Sequence, residues 1–392
     1  MFSPCSMPSP PACMDSVATA RKSRRIRIYP TTEQRAVLRL WDEAGRWCYN
    51  KAVELLREGF QGNRYELRAA VLAELPERLE AAPYQVKGSA VFDARKAQNN
   101  VKAHNRKVFQ TGEGQSAKLH FRSRKHPRSS IFVPRTAITP TGIYKKLLGD
   151  MKHGELLPEP WYDSRLVREG DRYWLVVATD AHRTEAETQG RVIALDPGVR
   201  SFQTGFSETE AVKFGEQDFG RIARLCHHLD DLMGRIAKAP ARKKSRMKNA
   251  ATRLRRRIKD LVRELHHKVA RWLVDHYDII LLPTFETSEM VEKAKRKLNS
   301  KVARAMLTWS HYQFAQFLTW KTWESGKVVL RVNEAHTTKT CSWSGEVVAN
   351  MAGRKTIRGS DGIVLDRDIN SARGILLRAL EDTPWLREQL VS

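Results

Sequence analysis

The sequence predicts a multidomain α/β protein, and three stretches with different hydrophobic patterns lead to this prediction. Residues 190–392 alternate short apolar runs, typical of buried strands, with long stretches of helical spacing. Residues 118–185 contain strand-like segments separated by Pro, Gly and basic turns, whereas residues 31–117 have the spacing of helices. A chain of 392 residues is long enough for two or three such domains.

The first half of the chain predicts a β-rich domain with a helical insertion. Residues 1–20 are rich in Ser, Pro and Met, which predicts a disordered tail. Residues 21–30 alternate like a strand and are assigned to the same domain as 118–185, where strands are expected at 119–121, 131–133 and 173–177. The helical residues 31–117 then form an insertion, whose first helix has Thr31 in position to cap it.

The second half predicts strands alternating with helices. Buried strands are expected at 192–195, 279–282 and 328–333. Helices are expected over 217–275 as one long stretch, over 300–325, and from about Asp366 onwards.

The charge of the chain points to a polyanionic partner. Lys and Arg number 69 against 44 Asp and Glu, which gives a net charge of +25 and favours nucleic acid. Because no apolar run approaches the length of a membrane span, no membrane partner is expected. The 5 cysteines are scattered and odd in number, which argues for a reducing compartment and against a disulfide framework.

Three acidic segments follow apolar runs and suggest a metal site. They are Asp196-Pro197-Gly198, Glu334 after the strand 328–333, and Asp366-Arg-Asp368. Nuclease sites of the RNase H type are built from carboxylates at two strand ends and a helix start. Two Mg²⁺ ions about 4 Å apart serve phosphodiester hydrolysis, and carboxylate oxygens are the ligands that Mg²⁺ prefers.

Each segment also has a simpler interpretation. Asp196-Pro197-Gly198 is most often a turn, and Asp-x-Gly after a strand occurs in actin-like ATPases as well. No second, Gly-rich phosphate loop accompanies it here, which disfavours the ATPase. Glu334 is open to interpretation as a solvated strand end, and Asp366 as the N-cap of the last helix.

The acidic segments, in this order, resemble the TnpB and Fanzor family of transposon-encoded, RNA-guided DNA endonucleases. The resemblance extends to Tyr49-Asn50-Lys51-Ala52, to the run from Lys118 to Lys125, and to Thr337-Thr-Lys-Thr-Cys341-Ser. It implies an RNase H-like RuvC nuclease domain at 190–392, a β-barrel-like WED domain at 21–30 and 118–185, and a REC domain at 31–117. It also implies Mg²⁺-dependent double-strand breaks at sites that match a guide (omega) RNA next to a short flanking motif.

The resemblance assigns metal binding and catalysis to Asp196, Glu334 and Asp368, with two Mg²⁺ per site. The usual catalytic Glu would end the strand 279–282, but Pro283 stands there. Fanzor-like members resemble this chain in having a relocated Glu about 50 residues later, which favours Glu334 over the rival Glu286. Loss of the usual acid also motivates an alternative, a nuclease-inactive RNA-guided DNA-binding repressor.

The family's zinc ribbon is degenerate at about 337–365. Of the family's two Cys-x-x-Cys pairs, only Cys341 remains, and Ser344 occupies the position of its partner. One thiolate cannot hold structural zinc, so no structural zinc is expected, and apolar packing around Trp343 is expected in its place.

Two groups of basic residues are the expected contacts with nucleic acid. One is a basic turn and the other a basic helical face: Arg122, Arg124, Lys125 and Arg128, and Lys243, Lys244, Arg246, Lys248, Arg253, Arg256 and Arg257. The implied partners are a guide RNA, with one protein per RNA, and target double-stranded DNA. The implied location is the nucleus for a Fanzor-like protein, or the bacterial cytoplasm or nucleoid.

Overall fold

The computed structural model describes residues 19–185, 189–284, 300–333, 337, 339–348 and 354–391. The chain divides into two compact units, of which the first ends at Ala181 and the second begins at His182.

Three long helices and one short helix belong to the first unit. They are α1 (Thr32–Arg57), α2 (Arg64–Ala73), α3 (Tyr84–Thr111) and α4 (Lys145–Leu148). The predicted cap of α1 is confirmed: Thr31 accepts a hydrogen bond from the backbone N–H of Gln34 (3.2 Å) and donates its own backbone N–H to the Gln34 side chain (2.9 Å). This reciprocal arrangement satisfies two of the N–H groups that a helix start leaves unpaired.

The first unit also contains a five-stranded sheet in the order β2-β6-β7-β1-β5. Its strands and a small hairpin are β1 (Thr19–Tyr29), β2 (Arg128–Val133), β3 (Ile138–Thr139), β4 (Gly142–Ile143), β5 (Lys152–His153), β6 (Ser164–Glu169) and β7 (Arg172–His182). The strand at the start of the chain therefore joins strands that follow the helices, as the sequence predicts. The strand predicted at 119–121 is wrong, because side chains of α1 bond the backbone there: Arg57 donates to the carbonyl oxygen of Leu119.

The second unit is built on a five-stranded sheet in the order β10-β9-β8-β11-β12. Its strands, with a separate two-stranded sheet, are β8 (Val192–Pro197), β9 (Gln203–Phe206), β10 (Ala211–Phe214), β11 (Ile279–Pro283), β12 (Val328–Val332), β13 (Thr356–Arg358) and β14 (Val364–Asp366). Strands β8, β11 and β12 are parallel, so their carboxyl ends meet at one edge. Strands β9 and β10 continue the sheet antiparallel to β8.

The helices of the second unit correct two predictions. They are α5 (Glu216–Lys238), α6 (Ala241–His276), α7 (Ser300–Trp309), α8 (His311–Glu324), α9 (Arg367–Asp382) and α10 (Pro384–Val391). The single helix predicted over 217–275 is two, because Pro240 has no N–H to continue the helix. The helix predicted over 300–325 is broken at Ser310, whose φ of 54° is left-handed.

The sheet of the second unit buries both faces. One face packs with α5, α6 and α8 in a large core that contains Phe202 and Trp309. The other face packs against α9, where Val192 and Ala194 of β8 meet Ile375 and Leu376. Because side chains alternate along a strand, Asp196 points to this second face, toward α9.

Candidate active site

Three polar residues form a row across the sheet of the second unit. Asp196 of β8 is paired with Thr204 of β9, and Thr204 is paired with Lys213 of β10. Directly paired residues on antiparallel strands project from the same face, so all three side chains lie on the face covered by α9. Thr204 is fully buried, and its hydroxyl has no hydrogen-bond partner among the described residues.

The start of α9 brings two further carboxylates to this face. Asp366 is the N-cap of α9, as the sequence predicts, and its Oδ1 accepts the backbone N–H groups of Asp368 (3.0 Å) and Ile369 (3.2 Å). Its Oδ2 accepts a hydrogen bond from Lys213 Nζ at 2.7 Å. Asp368 lies in the first turn of α9 and accepts from the Arg367 guanidinium at 3.2 Å. Asp366 is therefore the helix cap, and metal binding by Asp368 stays a prediction.

The ion pair between Lys213 and Asp366 shifts both groups toward their charged forms. Partial burial raises the pKa of Asp366, but the hydrogen bonds from Lys213 and from the helix N–H groups outweigh it and hold the pKa below its ordinary value. Partial burial lowers the pKa of Lys213, but Asp366 outweighs it and raises the pKa, with smaller contributions from Glu216 and Asp368. Both groups are therefore charged at neutral pH, and Lys213 lies within electrostatic range of Asp368.

The turn after Asp196 is held in place by close backbone contacts. A Cβ atom on Gly198 would come within 2.6 Å of the carbonyl oxygen of Ser201, so glycine is the residue that fits there. The indole N–H of Trp309 donates to the carbonyl oxygen of Val199 at 2.9 Å. The turn interpretation and the site interpretation of Asp196-Pro197-Gly198 are therefore compatible, since a fixed turn also fixes the carboxylate.

The third expected acid, Glu334, lies outside the described residues, as does its rival Glu286. Strand β12 ends at Val332, whose register partner is Pro283 of β11, and β11 pairs with β8 as far as Leu281 and Ala194, two positions before Pro283 and Asp196. Across the described ranges, no three His, Cys, Asp or Glu side chains come together in a way that holds a metal. The described part of the site thus contributes two candidate ligands, Asp196 and Asp368.

Asn370 connects α9 to the segment that contains Cys341. Its side-chain oxygen accepts the backbone N–H of Ser342 (2.9 Å), and its side-chain nitrogen donates to the carbonyl oxygens of Thr340 (2.8 Å) and Thr337 (3.4 Å). Asn370 is fully buried. Asn370 is only two residues after Asp368, but nothing in the sequence pattern shows that its amide bonds a loop about 30 residues earlier.

A side-chain hydrogen bond joins two turns in the segment for which the sequence predicts a degenerate zinc ribbon. The indole N–H of Trp343 donates to Asp361 Oδ2 at 2.7 Å, and the ring also lies against Gly359. The contacts that the structure shows for Trp343 are thus a hydrogen bond and a glycine, and the expected apolar packing around its ring stays a prediction. Cys341 is buried, and burial raises the pKa of its thiol. That the chain holds no structural zinc stays a prediction, which metal analysis would check.

In the first unit, Arg122 has partners within the protein. Its guanidinium lies 3.8 Å from the centroid of the Tyr49 ring and pairs with Asp93 at 3.3 Å. Its backbone N–H and C=O are both bonded by the Asn50 side chain, at 2.7 and 3.1 Å. These contacts indicate that Arg122 fixes the segment carrying the basic turn.

The other three residues of the basic turn, Arg124, Lys125 and Arg128, are exposed. Two of them line a cavity of about 500 Å³ whose charged lining residues are Arg46, Arg122, Arg124, Arg128, Arg165 and Arg168, with Asp42 and Asp93. Six cations against two anions leave this cavity with an excess of positive charge.

In the second unit, the predicted basic face lies on α6. Ala251, Ile258 and Val262 bury one side of this helix. Most of the predicted basic residues lie on the exposed side, namely Lys243, Arg246, Lys248, Arg253 and Arg257, while Lys244 and Arg256 are half-buried. This arrangement presents a row of cations of the kind that binds a phosphate backbone. No helix in the described part of the chain is long and apolar enough to cross a membrane.

Two family models match parts of the chain. The model described as Cas12f1-like, TNB domain matches residues 311–375, from α8 through the ribbon into α9. The model described as a helix-turn-helix domain, of the OrfB_IS605 type, matches residues 19–64, which include β1 and α1.

Similar proteins span nearly the whole chain. A proposed transposase, A625R, of Paramecium bursaria Chlorella virus 1 is 27% identical over 390 residues, covering 92% of this chain and 87% of that protein. The TnpB-like protein L770 of Acanthamoeba polyphaga mimivirus is 24% identical, covering 94% and 74%. A Streptomyces pristinaespiralis protein, named as a proposed RNA-guided DNA endonuclease, is 25% identical, covering 92% and 90%.

The fold is similar to a solved structure as well. The protein in a Cas12f1–sgRNA–target DNA complex aligns with a TM-score of 0.50 and 10% sequence identity, over 92% of this chain and 99% of that one. The ordered motifs, both family models and these relatives point in the same direction. Over nearly its whole length, the chain is similar to TnpB-like proteins and transposases.

Proposed function

We propose that this chain is an RNA-guided, Mg²⁺-dependent DNA endonuclease of the RuvC type, which makes double-strand breaks at sites that match its guide RNA. The observation that carries the proposal is the position of Asp196 on the sheet face that α9 covers, with Asp368 in the first turn of α9. The names of the Streptomyces relative and of the Cas12f1 complex support the same activity.

The side chains at this site carry the type of ligand atom that Mg²⁺ prefers. Asp196 and Asp368 offer carboxylate oxygens on a strand end and a helix start, which are rigid positions, and we assign the third carboxylate to Glu334. The buried Thr204 hydroxyl beside Asp196 leaves a polar atom available to a ligand at this face. When bound, two Mg²⁺ ions supply charge neutralisation at the scissile phosphate and acidify the attacking water.

The protein's own residues orient these groups. The turn held by Gly198 and Trp309 fixes Asp196, while the N-cap bonds of Asp366 and the loop bonds of Asn370 fix the start of α9. One such site would cut the two DNA strands in turn.

The exposed basic residues bind the guide RNA and the target DNA. In the first unit we assign this role to Arg124, Lys125 and Arg128, with Arg122 shaping the turn, and in the second unit to the basic side of α6. We assign the sheet of the first unit to a WED-like domain and α1 to α3 to a REC-like insertion, with one protein per guide RNA. Proteins of this kind read duplex shape and backbone and leave sequence recognition to base pairing.

The test starts from the RNA that co-purifies with the protein. Its sequence defines a matched plasmid, which the purified complex is expected to cut in the presence of Mg²⁺. Asp196→Ala should abolish cutting while RNA and DNA binding persist, and Asp275→Ala, at an exposed residue of α6, serves as the control. Full cutting by Asp196→Ala would refute the proposed site.

A second candidate function is RNA-guided binding without cleavage. Pro283 favours it, because this residue ends β11, where the family's usual acid would stand, and proline cannot bind metal. A repressor would leave the matched plasmid intact while binding it with the affinity of a guided complex, so the same plasmid assay separates the two functions.

A further inference from the structure

We propose that Lys213 is a positioning residue, which acts through Asp366 to hold the first turn of α9, and with it Asp368, in register with Asp196. The proposal rests on the proposed function of this site. It adds a residue that neither the acidic motifs nor the basic clusters include.

The Asp366 carboxylate links a strand to a helix. Its Oδ2 is bound by Lys213 Nζ of β10 at 2.7 Å, and its Oδ1 accepts two backbone N–H groups of α9, from Asp368 and Ile369. One of these N–H groups belongs to Asp368 itself. A displacement of the Asp366 carboxylate therefore moves the backbone of the candidate metal ligand directly.

The sheet supplies a rigid reference for this link. Lys213, Thr204 and Asp196 occupy paired positions on three adjacent strands, so the register of two ladders fixes their spacing. Adjacent strands are about 4.8 Å apart, which puts the Cα atoms of Lys213 and Asp196 roughly 10 Å apart. Lys213 is thus placed to tie the helix start to the strands at the level of the Asp196 carboxylate.

A lysine at a cation site has two opposing effects. Its charge repels a metal ion and weakens metal binding, whereas its bond to Asp366 orders the ligand and strengthens metal binding. The two effects predict opposite results when the charge is removed. Tighter Mg²⁺ binding would indicate that repulsion dominates, and weaker binding that positioning dominates.

The experiment uses the full chain with its co-purified RNA and compares Lys213→Met, which keeps the length of the side chain, with Lys213→Arg, which keeps the charge. Lys268→Met is the matched control, because Lys268 is also ion-paired, with Glu264 of the same helix at 2.8 Å, but has no contact with α9 in the described structure. Two quantities are measured. One is hydrogen exchange at the amides of Asp368 and Ile369, and the other is the Mg²⁺ concentration for half-maximal thermal stabilisation and cleavage.

Lys213→Met is expected to speed exchange at both amides and to raise the half-maximal Mg²⁺ concentration by about 10-fold or more, the size of effect seen for residues that orient metal ligands. Lys213→Arg should bring the exchange rates and the half-maximal Mg²⁺ concentration most of the way back to the wild-type values. Lys268→Met should match the wild type in both measurements. Unchanged exchange in Lys213→Met, or a lower Mg²⁺ requirement, would overturn the positioning role. The exchange measurement does not depend on cleavage. If the wild-type complex fails to cut, the proposed function is refuted, but the exchange rates still test the positioning role of Lys213.

Discussion

Asn370 in the first turns of α9 accepts the backbone N–H of Ser342, so the helix that carries Asp368 and the ribbon segment share one buried amide. The same amide donates to the carbonyl oxygen of Thr340. Because the side chain is fully buried, water cannot hydrogen-bond its partners if the amide is removed.

Replacing Asn370 with Ala should therefore destabilise the second unit by about 2 kcal/mol, the cost of leaving buried polar groups unpaired. Urea-induced unfolding of the variant measures this loss. Asn249→Ala, at an exposed residue of α6, is the control and should unfold like the wild type. Equal stability of the two variants would mean that the ribbon segment does not depend on α9.

The assignment of the third carboxylate leads to a direct comparison. Glu334→Gln should reduce cleavage of the matched plasmid by several orders of magnitude, since an amide is a poor substitute for a metal-binding carboxylate. Glu286→Gln should cut at nearly the wild-type rate. The reverse pattern would transfer the role to Glu286, and loss of cutting in neither variant would remove both acids from the site.

Buried histidines make the stability of the second unit sensitive to mild acid. His266 stacks on Phe202 at 4.9 Å and donates from Nε2 to the carbonyl oxygen of Trp309 at 2.8 Å. Burial lowers the pKa of His266 to about 4, and it also lowers the pKa of His311 to about 4. Since the unfolded chain binds these protons near pH 6.5, stability is complete above that pH and falls as the pH drops toward 4.

We expect the melting temperature of the wild type to decline from pH 6.5 to pH 4.5. The melting temperature of His266→Gln should decline less steeply, because this variant lacks one of the groups that take up a proton on unfolding. His227→Gln, at an exposed histidine of α5, should keep the wild-type pH dependence. Parallel curves for His266→Gln and the wild type would show that His266 is not the group responsible.

Asp278 is a buried charge at the opposite edge of the same sheet. Its carboxylate is 1% exposed, pairs with Lys327 at 3.2 Å and with Arg191 at 3.4 Å, and accepts the backbone N–H of Arg191. Burial raises its pKa, but these partners outweigh burial and hold the pKa below its ordinary value. Its contribution to stability is therefore present above about pH 4 and is lost as the pH falls through the lower folded pKa.

Asp278→Asn should lower the free energy of unfolding at pH 7 by about 3 kcal/mol, because it leaves the nearly buried Lys327 without its counter-charge. Asp275→Asn, which removes an exposed ion pair with Arg271, is the matched control and should cost less than about 1 kcal/mol. Urea-induced unfolding at pH 7 compares the two, and similar losses in both variants would contradict the account of Asp278.

Local signals in the sequence predicted much of the second unit. The apolar run before Asp196 gave a strand, and Asp366 was recognised as a cap because an acid before a helical pattern satisfies free N–H groups. Pro240 is a signal for a helix break, but the continuous helical spacing on both sides of it favoured a single helix. The break at Ser310 had no such signal, since a left-handed serine depends on the packing around it.

The polar row and its link to α9 were beyond sequence reasoning. Lys213 and Asp366 are 153 positions apart, and their contact depends on the register of two antiparallel ladders. Asp278 and Thr204 likewise gain their roles from burial, which a single sequence does not show. Register and burial are tertiary properties, whereas the capping and periodicity that succeeded are local ones.

Pro283 has a consequence for how such a site evolves. It is the register partner of Val332, so β11 and β12 run side by side and end at the same height. Under the proposed assignment of Glu334, an ancestor with an acid at 283 as well as at 334 would have kept its activity throughout, and the acid at 283 would have become dispensable before it was lost. Restoring an acid at 283 in a chain that lacks the one at 334 would retrace this exchange in reverse.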